Sequence, residues 1–397
     1  MMATENLQAA EHAARDITED LTRQTTGCAV DIDQTEVFNP LFSPQQRLSF
    51  DPPIAVAIPT AVSYTDQSVI TAASTVVMEA DTGTELLDPI YVFSPEKTAF
   101  IESISALGLN PHEESTCIAL WDGSNACLYN CDLTNQTLLE RVIYALRMNT
   151  EIQTLMFENC QIDDTIIIPI AALIKTKSGI GTLCIDRNKI GDKGAAIIAQ
   201  ALEGKKEFKC LQLTHNKVGN VGLGAIAHFL RSSQSISSIY LSSNRISCTD
   251  ALESALLVNK SLFYLDLSKN IINGTGIRGL ANGLKTNYSL KWVILIANHI
   301  GDLGVHLLCE MLKQNTTLKN LEIELNHISH QGAQELVDTL RHHNVTLLSL
   351  YFNIGDTFAT FEEEISTLKE RKSKALDRRW ELVEEFKRQY PRGDKLR

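Results

Sequence analysis

Aromatic, aliphatic and acidic side chains recur at matching places about 28 residues apart in the second half of this 397-residue chain. They are Tyr240, Tyr264, Asp266, Trp292, Ile294, Ile296, Glu322, Glu324 and Tyr351. Tyr and Trp offer large rigid contact areas with a polar tip, and a carboxylate border adds charge selectivity. That is the chemistry of protein recognition, not of bond breaking. No phosphate-cradling glycine loop, no HExxH helix and no nucleophile elbow occurs, so neither a catalytic residue nor a cofactor is expected. Cys127 and Cys131, with His112 and Cys117 upstream, are the nearest thing to a metal set. Their spacing matches no common zinc pattern, and no metal is expected.

The elements that position these residues follow from a repeat. The strings LCIDRNKIGDKGAA from Leu183, LQLTHNKVGNVGLG from Leu211, LDLSKNIINGTG from Leu265 and LEIELNHISHQG from Leu321 share the form L-x-L-x-x-N-x-I. The Asn position is held in turn by Cys131, Cys160, Asn188, Asn216, Asn244, Asn270, Asn298 and Asn326, at intervals of 29, 28, 28, 28, 26, 28 and 28. Alternation such as Leu183 and Ile185 makes a short strand with one face inward. The Asn amide can donate to and accept from backbone groups that a turn leaves unpaired, and Cys is a weaker partner there. Six residues on comes a glycine (Gly194, Gly222, Gly276, Gly304, Gly332), where a helix should start and approach its neighbour closely. Fourteen residues on comes Leu202, Leu230, Leu284, Leu312 or Leu340, on the buried side of that helix. No unit buries its apolar face alone, but a stack does.

The pattern resembles the leucine-rich repeat, in particular the 28-residue ribonuclease-inhibitor-like units of NOD-like receptors and the Ran GTPase-activating protein, over about residues 126–356. The resemblance implies an α/β solenoid (horseshoe) with a parallel sheet on the concave face and helices on the convex face. It implies no activity by itself. For the Ran GTPase activator, which uses turn residues on a similar array, the candidates here would be Arg187 or Arg245. The tail of this chain departs from that family's strongly acidic one, because residues 362–397 carry 9 acidic and 11 basic side chains.

Strand geometry sorts the side chains facing a partner into columns. Tyr264 and Trp292 fall in one, with Ser238 before them and Asn320 after. Tyr240, Asp266, Ile294, Glu322 and Tyr351 form the next, after Met156, Cys184 and Gln212. Ile296 and Glu324 stand in a third. The cluster is expected to meet a partner protein or to be covered by an adjoining segment of the same chain. A second stripe lies on the turns: Arg187, Lys189, His215, Lys217, Arg245, Lys269, His299 and His327. It makes a basic rim, or simply reflects exposed turns. The Asn-x-Ser/Thr strings at Asn259, Asn287, Asn315 and Asn344 read as helix stops in left-handed geometry rather than as glycosylation acceptors.

Charge and proline divide the chain. Residues 1–115 hold 18 acidic and 4 basic side chains and eight of the ten prolines, whereas residues 116–361 hold 21 of each sign. Three parts are expected: an acidic Pro-rich region at 1–115, an array at 116–356 and a charged helical cap at 357–397. Residues 116–150 should cover the first repeat. A net charge of −12 argues against a sequence-independent nucleic-acid binder. No run approaches the length that spans a bilayer, and no signal peptide is expected. Nine scattered cysteines show no disulfide framework, which fits a reducing, cytoplasmic compartment. The runs Glu362–Glu364 and Glu384–Glu385 resemble the glutamate-rich C-terminal signals of bacterial type IV effectors such as those of Legionella, which would place the protein in a host cytosol. The expected function is a monomeric, non-enzymatic scaffold that holds a protein partner on the concave face.

Overall fold

Each repeat opens with one or two apolar residues between polar ones, and these make strands of three to five residues whose alternate side chains face inward. In a computed structural model of the chain, the described residues are 94–352 except Asp122 and Val345, with the side chain of His112 also left out. The strands are β1 (Asn125–Tyr129), β2 (Thr154–Glu158), β3 (Thr182–Cys184), β4 (Cys210–Gln212), β5 (Ser238–Tyr240), β6 (Tyr264–Asp266), β7 (Trp292–Ile294), β8 (Asn320–Glu322) and β9 (Ser349–Tyr351). They form one parallel sheet in strictly sequential order. Among the described residues two helices precede β1, namely α1 (Pro95–Ser105) and α2 (Pro111–Ala119). Between strands run α3 (Gln136–Met148), α4 (Ile167–Thr176), α5 (Asp192–Leu202), α6 (Asn220–Ser232), α7 (Asp250–Val258), α8 (Arg278–Thr286), α9 (Gly301–Leu312) and α10 (His330–His342). The fold is an α/β leucine-rich-repeat solenoid.

The core lies between sheet and helices. Leu155, Leu183, Leu211, Ile239, Leu265, Val293, Leu321 and Leu350 fill it from the strands, and Leu202, Leu230, Leu284, Leu312 and Leu340 meet them from the helices, all buried. Removing one such leucine would cost roughly 2–5 kcal/mol.

Three hydrogen-bond ladders join successive repeats. In the first, the Asn188 Oδ1 accepts from the Cys160 and Ile162 amides, both at 3.0 Å, while its Nδ2 donates to the Phe157 and Asp186 carbonyls at 2.9 and 2.8 Å. Asn216, Asn244, Asn270, Asn298 and Asn326 repeat the arrangement. Where cysteine stands instead, Cys131 and Cys160 donate only at 3.4 Å.

The second ladder runs along the helix ends and corrects one expectation. Asn149, Asn259 and Asn287 are not left-handed; their φ values are −69°, −72° and −66°. They sit there because the buried amide ties one repeat to the one before. The Asn287 Nδ2 donates to the Leu256 and Asn259 carbonyls, and those of Asn315 and Asn344 repeat this one and two units later. A glycan on these nitrogens would remove those bonds. In the earlier repeats Lys177 does the same work, its ammonium donating to the Arg147 and Asn149 carbonyls. The left-handed position is the residue before each ladder Asn: Arg187, His215, Ser243, Lys269, Ala297 and Leu325 all have φ between 51° and 56°.

The third ladder corrects the helix start. The helices α5, α6 and α10 begin two residues before Gly194, Gly222 and Gly332, and α9 three before Gly304, whereas α8 begins two after Gly276. At α5 and α6 the cause is an acid from the preceding repeat: the Asp192 Oδ1 accepts from the Gly219 and Gly222 amides at 2.7 and 2.8 Å, and Asp164 does the same for Gly191 and Gly194. A Cβ on Gly222 would meet that carboxylate at 2.7 Å and Val218 Cγ1 at 2.8 Å. The glycine makes room for an anion at a helix N-terminus, where the helix dipole favours it.

The first repeat is closed by α1 and α2, where Phe100, Ile104, Cys117 and Leu120 are buried and the Phe100, Trp121 and Tyr144 rings pack at 5.0–6.5 Å. The division at residue 115 drawn from charge runs through this cap. Residues 1–93 and 353–397, including most of the acidic Pro-rich segment and the expected tail helix with its glutamates, lie outside the described residues.

Candidate partner-binding face

The described helices leave one face of the sheet open among the described residues, and the strand register decides who stands beside whom on it. Tyr264 pairs with Trp292 and Trp292 with Asn320. One column over, Tyr240 pairs with Asp266, Asp266 with Ile294, Ile294 with Glu322 and Glu322 with Tyr351. Neighbouring strands are about 4.8 Å apart, so each pair is in side-chain contact range. Tyr240, Tyr264, Asp266, Trp292, Ile294, Ile296, Glu322 and Glu324 are all partly exposed, and Tyr351 is 45% exposed. The nine residues therefore share one continuous face over β5–β9 and the turn that follows each strand.

Within it the Tyr240 and Tyr264 rings lie 4.8 Å apart, tilted by 35°. Burial pushes the Tyr240 phenol up to about 12, so it stays a neutral hydrogen-bonding group. Asp266 is fixed from below: its Oδ1 accepts from the Ser268 amide at 2.8 Å and from the Ser268 hydroxyl at 2.6 Å. Desolvation raises the Asp266 carboxyl above its ordinary range despite those bonds. Ser268, two residues after the acid and just before Ile296 in the third column, is the positioning side chain and lies outside the nine expected binding residues. The signal was present, because an Asp with Ser two residues on is a standard local hydrogen-bonding pair.

The same columns behave differently in β2–β4. Met156, Cys184 and Gln212 point to the open face but are buried, at 7%, 3% and 7% exposure. Alternation reports direction, whereas cover comes from the adjacent strands; the Tyr129 hydroxyl, for example, donates to Met156 Sδ at 3.0 Å. Asp186 lies in this part. Burial pushes its carboxyl up to about 6, although the Thr214 amide donates to it at 2.8 Å.

The turn edge carries Arg187, Lys189, His215, Lys217, Arg245, Lys269, His299 and His327, all exposed. Burial, then Arg187 and Lys269, hold His215 below its usual range. Arg187 is not idle, since its Nε reaches Glu158 Oε1 at 3.1 Å. The His299 and His327 rings stack at 5.4 Å. Of the three cysteines in the candidate metal set, Cys127 alternates with the inward Ala126 and Leu128 and so stands on the open face, whereas Cys117 and Cys131 are inside the core. The sheet separates them. Among the described residues no group of three or more His, Cys, Asp or Glu is placed to hold a metal ion, and no helix is long and apolar enough to cross a membrane.

Comparison with known proteins gives the repeat family in part of the chain. A profile described as "Leucine Rich repeat" matches residues 208–227 and 314–337. No curated protein matches by sequence. Among solved structures the chain is similar to leiomodin-1 actin-binding site 2, at 18% identity, covering 55% of this chain and 94% of that one with a TM-score of 0.25. It is also similar to internalin C2 from Listeria monocytogenes, at 20% identity, covering 50% and 80% with a TM-score of 0.33.

Proposed function

We propose that this leucine-rich-repeat solenoid is a protein-binding scaffold without catalysis of its own, which seats its partner on the open sheet face over β5–β9. The observation that carries this reading is the continuity, in strand register, of Tyr240, Tyr264, Trp292 and Ile294 with Asp266 and Glu322. Rigid aromatic anchors beside oriented charge are what protein interfaces concentrate their energy on. The free thiols at the eight described cysteines fit a cytosolic setting. Replacing Tyr264 and Trp292 together by Ala should abolish captured partners while leaving thermal unfolding unchanged. An unchanged partner list sinks this placement.

A GTPase activator built on Arg187 or Arg245 is the alternative, and Arg187 would first have to leave Glu158. Single-turnover GTP hydrolysis by a GTPase panel, with and without the protein, decides it; no acceleration rejects it. For the effector setting, deleting the last thirty residues should block translocation with the array intact.

A further inference from the structure

The acid at the centre of the open face is unusual among the carboxylates of the array. Asp266 is flanked in register by Tyr240 on one strand and Ile294 on the other, with Tyr264 and Trp292 one row above and Ile296 in the row below. Both hydrogen bonds to it, from the Ser268 amide and hydroxyl, go to Oδ1; Oδ2 accepts none among the described residues. A carboxylate set among rings and aliphatic side chains, with one oxygen fixed and the other open, is poorly hydrated and gains from an incoming cation. The faces of Tyr and Trp attract cations as well. Further along the same column stands Glu322, with Glu324 one row below it. Among the described residues the cation acting on Asp266 is Lys269, which lies on the turn edge of the sheet.

We propose that this face accepts a basic segment of a partner protein, with one Lys or Arg side chain laid across the Tyr240, Tyr264 and Trp292 rings and its charged end on Asp266 Oδ2. The proposal rests on the scaffold reading and specifies the chemistry of its partner. Aromatic faces alone would accept an apolar helix equally well. The acid inside the aromatic set is what selects a cation, because an apolar group placed there would bury Asp266 without compensation.

The test uses the full chain and two unstructured synthetic peptides, one alternating Arg and Ser, the other Glu and Ser, titrated calorimetrically at low and high salt. The Arg peptide should bind and weaken with salt, and the Glu peptide should not bind. The neutral set, Asp266→Asn and, should that variant unfold, Asp266→Ser, should weaken the Arg peptide at least tenfold, as should Tyr264→Ala with Trp292→Ala. Arg-peptide binding that survives both sets of changes resides elsewhere, for instance on the first 93 residues with their 14 acidic side chains, and overturns the proposal. Captured proteins that are lost with Tyr264→Ala and Trp292→Ala but kept by the neutral set, at any salt, also overturn it while leaving the scaffold face standing. Captured proteins kept by every variant remove the face itself.

Discussion

Asn244 shows what one side chain contributes to the stack. Its Oδ1 accepts from the Val218 amide at 2.9 Å, and its Nδ2 donates to the Leu213, Leu241 and Ser242 carbonyls at 2.8, 3.0 and 3.3 Å. Asn244→Ala leaves the buried Val218 amide and Leu213 carbonyl without that partner, whereas the Leu241 and Ser242 carbonyls keep the Asn270 side chain and the His215 amide; the change should cost about 2–4 kcal/mol, measurable by urea unfolding. Asp186 gives the opposite kind of effect. Its carboxyl titrates at about 6 instead of its ordinary 3.8, so the folded chain holds that proton more tightly than the unfolded chain does. Stability should therefore fall as pH rises from about 4 to about 6. Asp186→Asn, whose amide oxygen can still accept from Thr214, should flatten that slope and raise stability at pH 7. A variant with the same slope as the parent contradicts the assignment. The ladder Asn was legible in the sequence because it recurs against a variable background. The roles of Asn259, Asn287 and Asn315 were half legible. Their structural nature showed in their spacing, but their partners sit one repeat earlier, 26–31 residues away, where no local pattern points.

At the scale of elements, strands were easier to read than helix starts. Period-two alternation fixes which residues share a face, so the columns through Tyr240, Asp266, Ile294, Glu322 and Tyr351 follow from spacing alone. Which column members stay accessible does not follow, because cover is supplied by the next strand, as at Met156. At α5 and α6 the helix starts were misplaced by two residues since the cap is borrowed: Asp192 at the start of α5 serves the start of α6. Gly222→Ala would push a methyl into that carboxylate and into Val218, and should destabilise by about 1–3 kcal/mol. Asp192→Ala in the same chain should make the alanine at 222 less costly, a coupling readable in a double-mutant cycle. Additive effects would deny that the glycine exists for the acid.

For the molecule as a whole, the described array is a one-dimensional stack in which each repeat holds its neighbours, so the ends decide where it opens first. The core runs without a break from Phe100 to Leu350, and α1 with α2 closes one end. Phe100→Ala should cost about 3–5 kcal/mol locally, and hydrogen exchange should quicken in β1 and α3 before it does in β5–β8. Charge told the sequence reader that the first 115 residues differ from the rest, but not that residues 95–119 pack with the repeats, since packing depends on apolar partners such as Trp121 and Tyr144. The open face remains the place where function is argued. The most direct test is quantitative affinity capture by three forms of the full chain: the parent, Tyr264→Ala with Trp292→Ala, and a control with the helix-side exposed Tyr288 and Leu303 changed to Ala. The account predicts proteins retained by the parent and the control and lost by the Tyr264–Trp292 form. Identical capture by all three, or loss only in the control, would contradict it.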